Sequence, residues 1–213
     1  MRIVTVLRSR SHTLGLCEFK PIHVQALQKQ CAKWAPLASF ECLTDTKVEG
    51  VNCIPLVHKW PGWWAKMELF RPDFRGDFLF MDLDTVITGP MDDILAVDKL
   101  AMLRDFYRDG KKLKEGLGGG FMYLPEKDRA GPWAEFSVNP TASMQLYRRG
   151  EMYLLHEHYN NIAARWQDVV PGQIVSWKVH CMKANAPPAD ARVVCFHGQP
   201  RAWGVAQFQH LYR

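Results

Sequence analysis

The chain has 213 residues, of which 47% are apolar, enough for a sizeable core and too many for wholesale disorder. Its formal net charge is +5, a modest excess spread along the chain, whereas nucleic-acid binders more often concentrate Lys and Arg on one element. We therefore expect no nucleic-acid partner, and the charge suits a small anionic ligand. No stretch approaches the length of a membrane span, which makes the cytoplasm the default location.

The first elements form a strand–helix–strand pattern. Residues 2–7 are a short β-branched run that predicts a strand. Pro21 fits the first turn of a helix, and its apolar face is formed at helical spacing by Val24, Leu27, Cys31 and Trp34. A second strand is predicted at 38–43, so this part of the chain predicts a βαβ unit.

The rest of the chain continues the α/β pattern. Residues 78–81 (FLFM) are apolar at every position, which is typical of a strand buried on both faces in the middle of a parallel sheet. The remaining segments are predicted as strands at 53–57, 99–104, 121–124 and 192–196, a helix at 63–70, and mostly helix over 133–166 with a break at Asn139-Pro140. The prediction is a single α/β domain over residues 1–213.

The six cysteines form no C-x-x-C pair, which argues against a zinc knuckle or a thioredoxin-like site. Several of them lie inside apolar runs, and free cysteine is among the most buried residue types. They are expected to be buried thiols: Cys17, Cys31, Cys42, Cys53, Cys181 and Cys195.

Two carboxylates, Asp82 and Asp84, follow the predicted central strand. Ligands of open α/β sheets bind beyond the carboxyl ends of the strands, and alternation puts both side chains on one face. Two hard oxygen ligands side by side can hold Mg²⁺ or Mn²⁺ together with diphosphate oxygens. The alternative interpretation is a pair of solvated or helix-capping aspartates.

A second polar segment, FHGQPRAW at 196–203, follows the last predicted strand. His197 could reach a metal, Gly198 would let the backbone approach a phosphate, and Arg201 could pair with that phosphate through its planar guanidinium. The alternative is a structural histidine in a Gly/Pro turn.

Three tryptophans lie close together ahead of the acidic pair. Trp60, Trp63 and Trp64 could stack on a sugar ring, although core packing beside the strand is the interpretation favoured by the sequence.

Together these segments resemble glycosyltransferases of the GT-A type. The run FLFMDLDTVITGP (78–90) is similar to their D-x-D segment, and FHGQPRAW is similar to the His-Gly-x-x-Lys-Pro-Trp motif of glycosyltransferase family eight. LGGGFMYL (117–124) resembles that family's Asn-x-Gly-Val-Met-Leu segment, and 60–70 resembles small bacterial and phage-associated members. The resemblance implies a Rossmann-like mixed sheet flanked by helices, with a nucleotide-binding half at about 1–95 and a donor-sugar and acceptor half at about 96–213.

The resemblance also implies roles for particular residues. It makes Asp82, Asp84 and His197 ligands of Mn²⁺ or Mg²⁺, and it puts Leu7 and Arg8 near the nucleoside. The other residues expected to contact the donor are Lys66, Leu83, Gly118, Gly119, Gly198 and Arg201.

The chain departs from the family at two points. The Asp-Gln pair used around the donor sugar has no counterpart near 155–159, and Arg201-Ala202 replaces Lys-Pro. A carboxylate near the anomeric carbon would stabilise its cation-like transition state. Asp105 and Glu157 are the candidates for that catalytic role.

The predicted function is metal-dependent transfer of a hexose from a nucleotide-diphosphate sugar, with UDP-sugar as the expected donor, to an unknown acceptor. The resemblance implies retention of configuration and a cytoplasmic location in a bacterial or phage-infected cell. A non-catalytic nucleotide-sugar-binding protein is one alternative. A sugar nucleotidyltransferase is another, but its Gly-rich first loop has no counterpart in Arg8-Ser9-Arg10-Ser11.

Overall fold

The computed structural model describes residues 1–9, 19–107 and 116–213, which leaves Cys17 and residues 10–11 of the basic segment outside the described part. The strands in that part are β1 (Arg2–Leu7), β2 (Ser39–Thr44), β3 (Asn52–Pro55), β4 (Phe78–Met81), β5 (Val86–Ile87), β6 (Ala101–Arg104), β7 (Leu117–Leu124), β8 (Ala164–Arg165), β9 (Ile174–Ser176) and β10 (Val193–Cys195). The α-helices are α1 (Pro21–Trp34), α2 (Asp92–Leu95), α3 (Ala130–Val138), α4 (Pro140–Leu146), α5 (Met152–Tyr159) and α6 (Trp166–Val169).

The larger sheet has seven strands in the order β3-β2-β1-β4-β7-β6-β8. Strands β1 to β4 pair in parallel, whereas β7 runs antiparallel to both β4 and β6. The carboxyl ends of β1, β2, β3, β4 and β6 therefore share one edge with the amino end of β7. The predicted mixed α/β sheet is confirmed, and β4 lies inside it between a parallel neighbour, β1, and an antiparallel one, β7.

Strand β4 shows why its sequence is apolar at every position. Leu79 and Met81 belong to the apolar cluster on one face of the sheet, together with α1. Phe78 and Phe80 belong to the cluster on the opposite face, together with α3 and α5. Burial on both faces requires apolar side chains at consecutive positions.

A second, three-stranded sheet has the order β5-β10-β9 and carries the segment that begins at His197. Strands β5 and β9 were not predicted, because runs of two and three residues carry too little periodicity to be recognised. The predicted helix at 63–70 is a 3₁₀ helix, Gly62–Phe70. The segment 133–166 contains most of α3 and all of α4 and α5, with the break at Asn139-Pro140 as predicted, but near its end it also holds the short strand β8, which was not predicted.

The cysteines of the described part are free thiols, as predicted, and only Cys53 among them is not fully buried. Within the same residues, no helix combines the length and the apolar character needed to cross a membrane.

Candidate functional site

Polar side chains converge on the edge where the carboxyl ends of the parallel strands meet. Arg8 follows β1, Asp82 follows β4 and Asp105 follows β6. Gly118 lies near the start of β7, which enters from the same edge. These four residues come from both halves of the chain, and they lie at one edge of the sheet.

Asp82 is held in place by its backbone and by a lysine. Its amide donates a hydrogen bond of 2.8 Å to the carbonyl of Gly120 on β7. Lys66 Nζ lies 2.8 Å from Asp82 Oδ1 and 3.3 Å from Oε1 of Glu151. Burial lowers the pKa of Lys66, but the charges of Asp82 and Glu151 outweigh it and hold the pKa above its usual value. Lys66 is therefore a fixed cation between two carboxylates.

Glu151 is a member of this group that the sequence analysis missed. Its side chain is 4% exposed, and burial raises its pKa, with Lys66 acting in the opposite direction. A single carboxylate at the start of a helix looks like an ordinary first-turn acid, and only the ion pair with Lys66 distinguishes it.

The glycines of β7 are required by close approach of side chains. A Cβ on Gly119 would lie 2.1 Å from Sδ of Met152, and one on Gly120 would lie 3.1 Å from Oδ2 of Asp82. Gly118 faces Leu103 on β6. The Gly-rich segment thus lets α5 and the Asp82 carboxylate approach the strand.

Asp84 has a different basic partner. It is buried, and Arg201 forms an ion pair with its Oδ2. Burial and the neighbouring charge of Asp82 raise the pKa of Asp84 to about 7, although Arg201 opposes the shift. Arg201 also lies over the ring of Phe19, at 5.2 Å from its centroid. Each aspartate of the D-x-D segment therefore has its own cation.

His197 lies beside the small sheet, where its Nε2 is 2.7 Å from Oγ of Ser176. Its ring packs beside Phe106 and Tyr107, which follow β6. Burial and the charge of Lys178 lower its pKa, whereas Asp105 acts to raise it. His197 and Asp105 are therefore close enough to interact electrostatically.

Lys178 is a second residue that the sequence analysis missed. Gly198 has φ +71°, and a Cβ there would lie 3.2 Å from Nζ of Lys178. The ammonium group thus sits over the glycine of the His-Gly segment. No local pattern marks Lys178, which follows a buried tryptophan in a five-residue turn of π-helix.

The three predicted metal ligands do not form one cluster in this conformation. Across the described ranges, no group of three or more His, Cys, Asp and Glu side chains is placed to hold an ion. Asp82 and Asp84 interact electrostatically, and their oxygen ligands suit Mg²⁺ or Mn²⁺. His197 is hydrogen-bonded to Ser176.

A cleft with a volume of about 830 Å³ opens beyond the ends of β1, β2 and β3. Arg8 lines it and lies 3.5 Å from Asp45, whose other oxygen accepts a hydrogen bond from the amide of Ser9. The side chains of Leu7 and Leu83 are buried in the core, so only their backbones can face a ligand.

The two predicted catalytic carboxylates have different surroundings. Asp105 is at the site edge, and its Oδ1 accepts a hydrogen bond of 3.0 Å from the amide of Tyr107. Glu157 lies within the helical layer, where Tyr147 donates a hydrogen bond of 2.7 Å to it. The structure groups Asp105 with His197, and it does not bring Glu157 into contact with the acidic pair.

The three tryptophans divide between core and surface. Trp64 stacks on Phe136 at 5.2 Å between ring centroids, and Trp60 packs edge-on against the same ring. The predicted core packing is confirmed for these two. Trp63 is 56% exposed.

No protein-family model and no curated protein matches the sequence. Solved structures match strongly. Galactosyltransferase LgtC, in complex with donor and acceptor sugar analogs, aligns with a TM-score of 0.67 at 11% identity, over 100% of this chain and 95% of that one. The glycosyltransferase GlyE of Streptococcus pneumoniae TIGR4 aligns with a TM-score of 0.65 at 13% identity, over 99% of this chain and 59% of that one. The bifunctional glycosyltransferase WbbM aligns with a TM-score of 0.64 at 13% identity, over 98% of this chain and 48% of that one. The chain therefore has the fold of the GT-A glycosyltransferases.

Proposed function

We propose that the protein is a metal-dependent glycosyltransferase of the family-eight type that transfers a hexose from a UDP-sugar to an acceptor. The observation that carries the proposal is the acidic pair Asp82 and Asp84 at the end of β4, each with its own cation, Lys66 or Arg201. Paired carboxylates and cations around one point suit an anionic diphosphate and a divalent ion.

The donor would lie along the edge of the sheet. Its nucleoside would occupy the cleft beside Arg8, within the half at about 1–95. Its diphosphate would lie towards Arg201, which pairs with Asp84, and Lys178, which lies over Gly198. The sugar would face the start of β7 near Gly118 and Gly119, next to Gly120, whose lack of a side chain lets the Asp82 carboxylate approach the strand.

Cleavage of the donor leaves negative charge on the departing diphosphate. Arg201 and Lys178 would stabilise that charge, because preorganised cations in a partly dry site interact strongly with a developing anion. For this, Arg201 must contact phosphate as well as Asp84. Lys66 would instead keep Asp82 and Glu151 oriented.

The acidic pair fits a divalent metal. Asp82 and Asp84 would hold Mn²⁺ or Mg²⁺ through carboxylate oxygens, and His197 would be the third ligand once it leaves Ser176. The ion would supply Lewis-acid stabilisation of the diphosphate.

A carboxylate near the anomeric carbon would stabilise positive charge there. Asp105 remains a candidate, and Glu151 joins it because its carboxylate lies beside Lys66 and Asp82. Glu157 is the weaker candidate, since Tyr147 already donates a hydrogen bond to it. Retention of configuration is part of the proposal.

The test is a panel of nucleotide sugars, first by thermal shift with and without Mn²⁺ and then by release of nucleoside diphosphate. The proposal predicts one preferred donor that binds with metal and is turned over. Binding without turnover, in every acceptor condition, would instead support a nucleotide-sugar-binding protein.

A further inference from the structure

Trp63 occupies a position between the surface and the acidic group. It lies on the 3₁₀ helix Gly62–Phe70, three residues before Lys66. A 3₁₀ helix has three residues per turn, so side chains at i and i+3 lie on the same face. Trp63 and Lys66 therefore project from one face of this helix, and Lys66 pairs with Asp82 and Glu151.

The indole is positioned by a glycine at the same turn that carries Glu151. Gly150 has φ +110°, and a Cβ added there would lie 3.3 Å from Cε3 of Trp63. This φ is strained for residues with a side chain, so the turn both leads the chain into Glu151 and leaves room for the ring. Trp63 thus packs against Gly150 while the residue as a whole remains 56% exposed.

The neighbouring tryptophans show that exposure of Trp63 is particular to this position. Trp60 and Trp64 pack against Phe136 in the core beneath the 3₁₀ helix. Trp63 instead presents a large flat apolar surface on the helix face that carries Lys66, and it packs against Gly150, which directly precedes the buried Glu151. A ligand that covers this surface needs an apolar face and a polar edge.

We propose that Trp63 is the stacking platform of an acceptor subsite, and that the acceptor is a carbohydrate whose pyranose ring lies on the indole. A pyranose has a face of C–H groups that suits an aromatic ring and an edge of hydroxyls that suits carboxylates. This inference rests on the proposed function, since it names the substrate class of the same site.

The experiment measures release of nucleoside diphosphate from the preferred donor, without acceptor and with a panel of methyl pyranosides and disaccharides. In the wild type, at least one sugar accelerates release. In Trp63→Ala, the KM for that sugar rises about tenfold or more while donor hydrolysis without acceptor is unchanged, because a ring contact of this size is lost. Trp63→Phe restores part of the effect.

Leu37→Ala is the matched control. Leu37 is 97% exposed and precedes β2, at the edge of the sheet opposite the site, so its removal leaves both rates unchanged. Equal acceptor KM in wild type and Trp63→Ala would overturn the inference, as would a panel in which no sugar accelerates release. Absence of donor turnover in any condition would instead overturn the proposed function.

Discussion

Arg201 is ion-paired with Asp84 across 117 positions of the chain, and the pair joins the His-Gly segment to the acidic pair. The side chain of Asp84 is 3% exposed and that of Arg201 is 17% exposed. Without a donor bound, the charge of Asp84 is therefore balanced by Arg201, the same side chain that is proposed to contact the donor diphosphate.

Removal of Arg201 should destabilise the protein above pH 7. Arg201→Ala leaves the buried Asp84 without its ion-pair partner, and because a carboxyl with a pKa of about 7 can then take up a proton, the loss of unfolding free energy at pH 8 is about 1–2 kcal/mol. Combining it with Asp84→Asn should restore much of the loss, because the uncompensated charge is then absent. Urea unfolding at pH 8 measures both variants.

The exposed pair of Arg75 with Glu126 is the control for this cycle, because the Arg75 side chain is 74% exposed. Arg75→Ala should cost less than about 1 kcal/mol. If Arg201→Ala and Asp84→Asn destabilise additively, the ion pair contributes nothing beyond its separate members.

Nucleoside diphosphate and metal should bind together. Phosphates are repelled by Asp82 and Asp84 unless a divalent ion is present, so UDP should raise the melting temperature only with Mn²⁺ or Mg²⁺. At about 100 times Kd the stabilisation is roughly 2.7 kcal/mol. If UDP raised the melting temperature as much in EDTA as with the metal ion, the proposed metal site would be contradicted.

Asp84 and His197 should act as one unit in turnover. Asp84→Asn and His197→Ala should each lower donor turnover by about 10²-fold or more, comparable to the loss of a major electrostatic stabiliser. Ligands of one ion are not independent, so the double variant should be little worse than the poorer single variant. Single-turnover rates with Mn²⁺ measure this. If the effects of the two substitutions on turnover multiply instead, His197 is not a ligand of the ion and has a structural role through its hydrogen bond with Ser176.

His23 should make the protein less stable in mild acid. Its ring stacks on Trp203 and its Nδ1 accepts a hydrogen bond from the amide of Lys20. Burial, followed by the charges of Lys20 and Arg201, lowers its pKa from 6.5 to about 4. Between these values the unfolded chain binds a proton that the folded protein does not, so the free energy of unfolding falls as the pH is lowered.

The loss attributable to His23 is on the order of 3 kcal/mol across that pH range. The variant His23→Gln keeps a hydrogen-bond acceptor but does not titrate. The free energy of unfolding in urea should therefore differ less between the wild type and His23→Gln at pH 4 than at pH 7. A constant difference at all pH values would show that His23 has the same pKa in the folded and unfolded states.

The acidic pair could be located from sequence because its signal is local. Residues 78–81 are apolar at consecutive positions and are followed directly by Asp82. Because ligands of α/β sheets bind beyond the carboxyl ends of the strands, a buried strand followed by carboxylates indicates a ligand site. The cations at the site could not be assigned to their partners in this way. Lys66 meets Glu151, and Arg201 meets Asp84, only through tertiary packing.

Glu157 shows why one acidic residue of the helical segment could not be preferred over another from sequence. The segment 133–166 was predicted as helix without register, so its acidic residues could not be told apart. Helix α5 begins at Met152, and this start directs Glu151 to the sheet edge while Glu157 faces Tyr147. Assigning a carboxylate to the site required the helix boundary, which is the least certain part of such a prediction.

The most direct test of the proposed activity compares wild type with Asp82→Asn in release of nucleoside diphosphate from UDP-sugars, in Mn²⁺ and in EDTA. We expect release by the wild type in Mn²⁺ only, and a loss of about 10²-fold or more in Asp82→Asn, since the acidic pair would no longer hold the ion. Equal release in EDTA, or by Asp82→Asn in Mn²⁺, would contradict metal-dependent transfer at this site.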